Sequence, residues 1–428
     1  MNWTGFAKKT PKERQELMKQ LPHLSDQSRD ILTTNQQLPL TVANQMAEHV
    51  FGQFSLPFSL VLDVMVDGHV YQVPFVTEEP SVVAAASFAS KIIKRSGGFE
   101  TTLHNRQMIG QVILYDIPDL AIASQTILAN KSDLLELANQ AYPSIVKRGG
   151  GACDLSVETY QDEQSFLAVF VTVDTQEAMG ANMVNTMMEA LKQPLADLSQ
   201  GQSLMAILSN YATESLVTTK CAVDLRFLNR NKEKAKEIAQ KIVLASQFAK
   251  LDPYRAATHN KGIFNGIDAL IMALGNDWRA IEAAGHAYAS HTGTYQGLST
   301  WTYEAELEQL VGEMTLPMPT ASKGGSIGLN PSVQLAHDIL RQVDAKSLAR
   351  LVVSIGLAQN FAALKALVDT GIQDGHMKLH AKSLALLAGA DDKEVTPLVK
   401  QLLVEKHMNL DTATVLLEKL RQHSSERI

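Results

Sequence analysis

The chain of 428 residues has two cysteines, Cys153 and Cys221, in no metal or redox spacing. A disulfide framework is thereby excluded, and a reducing, cytoplasmic setting is expected. Charged residues make up only 19%, and the formal net charge is −7. Neither nucleic acid nor an anionic membrane is the expected partner of such a chain. No apolar run approaches the roughly 20 residues of a membrane span, and Met1-Asn2-Trp3-Thr4 does not begin a charged-then-apolar leader. Repeats and low-complexity segments are absent. So are a Walker loop and a Gly-x-Gly-x-x-Gly after a strand; a dinucleotide, if bound, is not held by a Rossmann domain. His376 and His380 stand four apart, but no His-Glu-x-x-His occurs and no third ligand is evident. No metal is expected.

What is present is enough apolar sequence, 45%, for a large core and two or three domains. Residues 11–20 read as a helix capped by Thr10, and 41–51 as an amphipathic helix ending at Gly52. Alternation around Asp67-Gly68 predicts a hairpin. After it, Glu79 near the cap, Pro80 at the first helical position and Gly97-Gly98 at the end bracket a helix rich in small residues. Strands are expected at 109–116, 155–161, 166–173 and 203–208, with helices at 119–141 and 177–192. That order is β-α-β-β-α-β, the split βαβ or ferredoxin-like plan, as an insertion at 105–215. The expected fold is α+β: a large mixed domain from 1–104 and 216–370, the inserted domain, and a helical C-terminal piece at 371–428. A strand at 219–227 resumes the large domain, followed by a helix at 231–249. Helices are also expected at 262–274, 278–290, 331–341 and 345–368.

The chemistry concentrates at Arg255 to Asp277. Lys261 stands in an Asn/Gly-rich setting with Arg255, Thr258, His259 and Asn265 around it, and Asp277 follows in Gly-Asn-Asp-Trp. A desolvated lysine needs a carboxylate to stay charged. Such a pair either braces a turn or stabilises negative charge growing on a carbonyl oxygen. Glu78 and Glu79 either match a helix dipole or supply a general acid. Gly180 and Asn182, in the first turn of a helix, suit a phosphate. His376 either packs or donates a proton.

Seven segments then occur in one order: Glu-His-Val-Phe-Gly (48–52), Thr-Glu-Glu-Pro-Ser (77–81), Glu-Ala-Met-Gly-Ala-Asn (177–182), His-Asn-Lys-Gly (259–262), Gly-Asn-Asp-Trp-Arg-Ala (275–280), Gly-Leu-Ala-Gln-Asn (356–360) and Gly-His-Met-Lys-Leu-His (375–380). Together they resemble the class II, bacterial-type 3-hydroxy-3-methylglutaryl-coenzyme A (HMG-CoA) reductases over nearly the whole chain. The resemblance implies reduction of HMG-CoA to mevalonate and coenzyme A with two nicotinamide cofactors, and a C-terminal flap. It implies Lys261 as oxyanion stabiliser kept charged by Asp277, Glu79 as proton donor, and His376 as donor to the leaving thiolate. Ser81, Arg255, Asn265 and Gln359 match positions around the acyl group or coenzyme A. Glu177, Met179, Gly180 and Asn182 match the cofactor turn, with Asn210 near the nicotinamide. Glu177 replaces the family's usual Asp. After Glu136 to Gln140, where NAD-preferring members carry an acid, this chain has Ala141-Tyr142 and then Lys147-Arg148. That implies NADPH as the preferred cofactor, with NADH possible. The first motif implies at least a homodimer. Two alternatives stay open: oxidation of mevalonate with NAD, and a coenzyme A-binding protein without catalysis.

Overall fold

The computed structural model describes residues 3–369, 372–391 and 393–425. Three helices open the chain: α1 (Pro11–Lys19), α2 (Asp26–Thr34) and α3 (Leu40–Met46). The first starts on a capping box in which Thr10 and Glu13 satisfy each other's backbone N–H. The hairpin β1 (Phe58–Val66) and β2 (His69–Val76) turns at Asp67 and Gly68, both at positive φ, as a two-residue primed turn requires. There follow α4 (Val82–Arg95), β3 (Phe99–Leu103), β4 (Met108–Tyr115), α5 (Leu120–Ala129), α6 (Lys131–Ala141), α7 (Pro143–Val146), β5 (Gly151–Gln161), β6 (Ser165–Asp174), α8 (Ala181–Ser199), β7 (Gln202–Ser209) and β8 (Leu216–Asp224). The chain continues through α9 (Leu225–Leu228), α10 (Lys232–Leu251), α11 (Pro253–Ala273), α12 (Trp278–Tyr288), β9 (Ser299–Glu304), β10 (Gln309–Pro317), α13 (Pro331–Ile339) and α14 (Ala345–Val368). It ends with α15 (Ile372–Leu387), α16 (Val395–Leu402) and α17 (Leu410–Ser425).

Two sheets organise these elements. The larger has the order β2-β1-β3-β8-β10-β9, and the smaller β5-β6-β4-β7. All pairings are antiparallel except β1 with β3. Each sheet has its own core. Phe75, Phe99, Phe264, Trp301 and Phe361 anchor the first. Val112, Leu114, Val169, Met187 and Leu191 anchor the second. Full burial of such a side chain contributes about 1.5–3 kcal/mol over leaving it exposed. Smaller apolar clusters join α2 and α13 to β1, and α15, α16 and α17 to one another.

Several sequence expectations change. The expected helix at 41–51 stops at Met46, because Ala47 is extended and His49 takes a positive φ. Phe51 and Phe54 beyond it are almost fully exposed. The expected 119–141 helix breaks at Asn130, and the expected strand at 219–227 gives way to α9 at Leu225. Contrary to the apolar-run reading, α14 is long and apolar enough to cross a membrane; 72% of its apolar window is buried within the protein. It is the central core helix, packed on α11, α4 and β8. The largest change concerns α11. It begins at Pro253 with Asp252 as cap, so Arg255 to Lys261 lies inside a helix and not in a loop before one. The Asp-Pro pair is a legible start signal; the Asn/Gly content downstream obscures it.

Candidate active site

The polar residues of α11 divide between its faces. His259 and Asn260 point inward and are buried. The Asn260 side chain donates to the Gln296 carbonyl (3.0 Å) and accepts from Leu298 N–H (2.9 Å). The His259 Nε2 lies 2.7 Å from Ser299 Oγ and 3.0 Å from the Asn360 amide. Burial first, then the charges of Arg255 and Lys250, push His259 down to about 3, so it is a neutral brace and not an acid–base group. Arg255 is half-buried, and burial lowers its pKa. Lys261 is exposed, and among the described residues it enters no ion pair. Asn265 stands one turn further along the same face. Gln359 reaches α11 from α14: it is buried, and a Cβ on Gly266 would lie 3.3 Å from its Oε1, which has no hydrogen-bond partner among the described residues.

One acid on this face went unread in the sequence. Asp268 lies seven residues after Lys261 and is raised to about 8. Burial is the main cause, followed by the charge of Glu282 from α12 and a hydrogen bond shared with it; Lys261 opposes the rise. Its signal was a single acid within Ile263 to Leu274. A carboxyl whose folded pKa lies above its unfolded value stabilises fully below about pH 4 and loses that contribution as the pH rises towards 8. Asp268→Asn should therefore flatten the decline of stability between pH 5 and 8.5, read from urea midpoints. A parental slope in the variant would show that Asp268 does not titrate there.

Glu79 and Ser81 lie between β2 and α4, both of which pack on α11. Glu79 is exposed, and its N–H donates to Thr77 Oγ1 (3.1 Å). The helix starts at Val82, not at Pro80. Ser81 is its N-cap at φ 73°, in the left-handed region, and its hydroxyl makes no cap bond. A non-glycine residue held there costs of order 1–3 kcal/mol and persists only where its surroundings hold it. The motif left this strain invisible.

The structure does not bring Lys261 and Asp277 together within one chain. Asn276 N–H bonds the Ile271 carbonyl near the end of α11, about 15 Å of helix rise beyond Lys261. The two side chains cannot span that distance. Asp277 instead caps α12: its Oδ1 accepts from the N–H groups of Arg279 (3.1 Å) and Ala280 (3.2 Å) and meets the Arg279 guanidinium (3.2 Å). Its second oxygen has no bond among the described residues. His376 belongs to α15, but its side chain lies outside the described residues.

In the smaller unit, the turn between β6 and α8 is strained and braced. Gln176 has φ 53° and Gly180 φ 90°. A Cβ on Gly180 would lie 2.4 Å from Thr175 Cγ2, so only glycine fits this cap. The N–H groups of Ala181, Asn182 and Met183 come before the first intrahelical bond, Val184 to Gly180, an arrangement that can hold an anion. Asn182 is exposed, while Met179 and Tyr142 pack partly on the second core. Asn210 is exposed just after β7. Glu177 lies in this turn and also reaches the larger unit. Its carboxylate accepts from Ala345 N–H (2.9 Å) and from the Ser322 hydroxyl, so it meets the first N–H of α14, which Asp344 caps, and ties the two units together. The expected helix start at 177 is four residues early for the same reason: 177–180 is committed to the turn.

Residues 10–381 match the model of the hydroxymethylglutaryl-coenzyme A reductase family. The chain is 40% identical over 419 residues to the 3-hydroxy-3-methylglutaryl-coenzyme A reductase of Archaeoglobus fulgidus, covering 97% of this chain and 94% of that one. It is 64% identical to a solved 3-hydroxy-3-methylglutaryl-coenzyme A reductase from Streptococcus pneumoniae, with a TM-score of 0.86 over 98% of this chain and 100% of that one. A structure of the class II enzyme from that organism bound to NADPH, in open conformations, is likewise 64% identical, with a TM-score of 0.84 over 96% of this chain and 100% of that one. The chain belongs to the hydroxymethylglutaryl-coenzyme A reductase family, a family of oxidoreductases, and to its bacterial-type class II.

Proposed function

We propose that this chain reduces HMG-CoA to mevalonate and coenzyme A, consuming two NADPH and two protons, at a site shared between two copies of the chain. The observation that carries the shared site is the separation of Lys261 from Asp277 along α11. A second copy supplies the missing carboxylate, and the exposed Phe51 and Phe54 offer apolar surface for it. The α8 cradle and Gly180 fit the cofactor's pyrophosphate. We read the β5-β6-β4-β7 unit, residues 105–215, as a ferredoxin-like cofactor domain, supported by its strand order. Residues 1–104 and 216–370 form the substrate domain and 371–428 the flap.

When bound, NADPH supplies one hydride to the thioester carbonyl carbon and a second molecule supplies one to the aldehyde. The Lys261 ammonium stabilises the oxyanion formed in the first reduction, the partner's Asp277 keeping it charged. Collapse of that oxyanion breaks the C–S bond, and His376 protonates the departing thiolate. Glu79 delivers the proton that turns the second oxyanion into an alcohol. Arg255 forks onto the substrate's free carboxylate, while Ser81, Asn265 and Gln359 hold the acyl group. Placing His376 on the flap ties thiolate release to closure.

Cofactor choice follows from charge. The Gly149 carbonyl accepts from Gln176 Nε2 (3.3 Å), which sets Lys147 and Arg148, both exposed, beside the cofactor turn. Two exposed cations favour a ribose 2′-phosphate, while the Asp174 carboxylate nearby is engaged by the Gln176 side-chain and backbone N–H groups. Purified protein with HMG-CoA should oxidise NADPH, followed at the nicotinamide absorbance, with kcat/KM at least about tenfold above that for NADH, one charge-assisted contact's worth. A strong NADH preference would overturn the assignment to NADPH, and no oxidation of either cofactor would overturn the function.

A further inference from the structure

No sequence pattern marks Arg106, and the mechanism above does not use it. It lies in the segment that crosses from β3 in the larger sheet to β4 in the smaller one. It is 8% exposed, an uncommon place for a guanidinium unless it is held by partners; both terminal nitrogens are so held, while the buried Nε has no partner among the described residues. Nη1 donates to the Gln176 carbonyl, and Nη2 donates to the carbonyls of Ala178 (3.2 Å) and Thr320. One fork thus grips two carbonyls of the strained turn and one from the substrate-side framework. The other side of the turn is tied to that same framework. Ser322 and Lys323 N–H bond the Glu177 carbonyl (3.0 and 3.3 Å), and the Glu177 carboxylate holds Ala345 N–H. Burial lowers the pKa of Arg106, while Glu177, Asp174 and Asp344 oppose that fall.

A turn with Gln176 and Gly180 both left-handed persists only where its surroundings over-determine it. Its geometry sets the direction of the first N–H groups of α8. We propose that Arg106 is a positioning residue for the pyrophosphate of the dinucleotide, locking the 175–180 turn to the substrate-side framework. This rests on reading the turn as the cofactor site. Lysine retains the charge but offers one compact ammonium in place of the planar fork, so charge alone does not rescue the function.

The test uses the full chain with NADPH and HMG-CoA. Arg106→Lys should raise the KM for NADPH at least about tenfold, leaving the KM for HMG-CoA within about twofold and kcat at saturating NADPH within about threefold. Amide exchange across 175–183 should quicken. A merely structural arginine would lower the melting temperature without this one-sided change. A parental KM for NADPH, or an equal rise in both KM values, would overturn the proposal. Should Arg106→Lys not fold, Glu177→Gln carries the test. It preserves shape, removes a charge facing the guanidinium, and must show the same one-sided rise; a parental NADPH KM there overturns the proposal. Oxidation of NADPH by the parent is the control: its absence would defeat the reading of the site, whatever Arg106 does.

Discussion

Lys261→Ala should remove turnover while leaving the fold intact. Loss of one oxyanion donor costs about 10²–10³-fold in kcat, and the donor proposed here carries a full charge, so the decline should be at least this large. The fold has little to lose. Lys261 is exposed on a long helix and enters no hydrogen bond or ion pair among the described residues. Alanine is the best helix former, so the melting temperature of the variant should equal or slightly exceed the parent's. The measurement is NADPH oxidation beside a thermal melt. Parental turnover would remove Lys261 from the mechanism.

Asp277→Asn should separate the observed cap from the proposed catalytic role of the same carboxylate. Asn caps a helix about as well as Asp, so α12 should remain seated and the melting temperature should not move. What disappears is the charge that the proposed shared site directs at a second copy's Lys261, along with the exposed ion pair to Arg279, which contributes little. A charge-assisted hydrogen bond contributes about 1.5–3 kcal/mol, so kcat should fall about tenfold to a hundredfold. Asp277→Ala should lose a further ~1 kcal/mol of stability with the cap. If Asn behaves as the parent in kcat, and only Ala is impaired, Asp277 serves the helix alone.

How much of this was legible in the sequence depended on whether a signal is local. The Thr10 cap, the Asp67-Gly68 turn, the Gly97-Gly98 stop and the individual strands of the smaller unit all rest on local sequence signals, and they appear close to where expected. The start of α11 was equally local, but its polar content masked the Asp252-Pro253 signal. Helix α2 went unread because its cap, Ser25, precedes only a short apolar face of Ile31 and Leu32. The site residues came from ordered motifs, and motifs carry no distances. They name Lys261 and Asp277 as partners without saying that α11 holds them apart. They name Glu177 without showing that its carboxylate is occupied by Ser322 and Ala345. Arg106 and the pairing of Asp268 with Glu282 arise from contacts between distant segments, which no spacing encodes.

The shared site is tested most directly by mixing two defective chains. Lys261→Ala and Asp277→Asn are prepared separately, then co-expressed with different tags, and dimers carrying both tags are isolated. If each site takes Lys261 from one copy and Asp277 from the other, a mixed two-fold dimer has one doubly defective site and one intact site. Its turnover should recover to roughly half that of the parent dimer, far above either variant alone. If both residues served a site within one chain, every site in the mixed dimer would stay defective. Turnover no higher than the mean of the two variants would contradict the account.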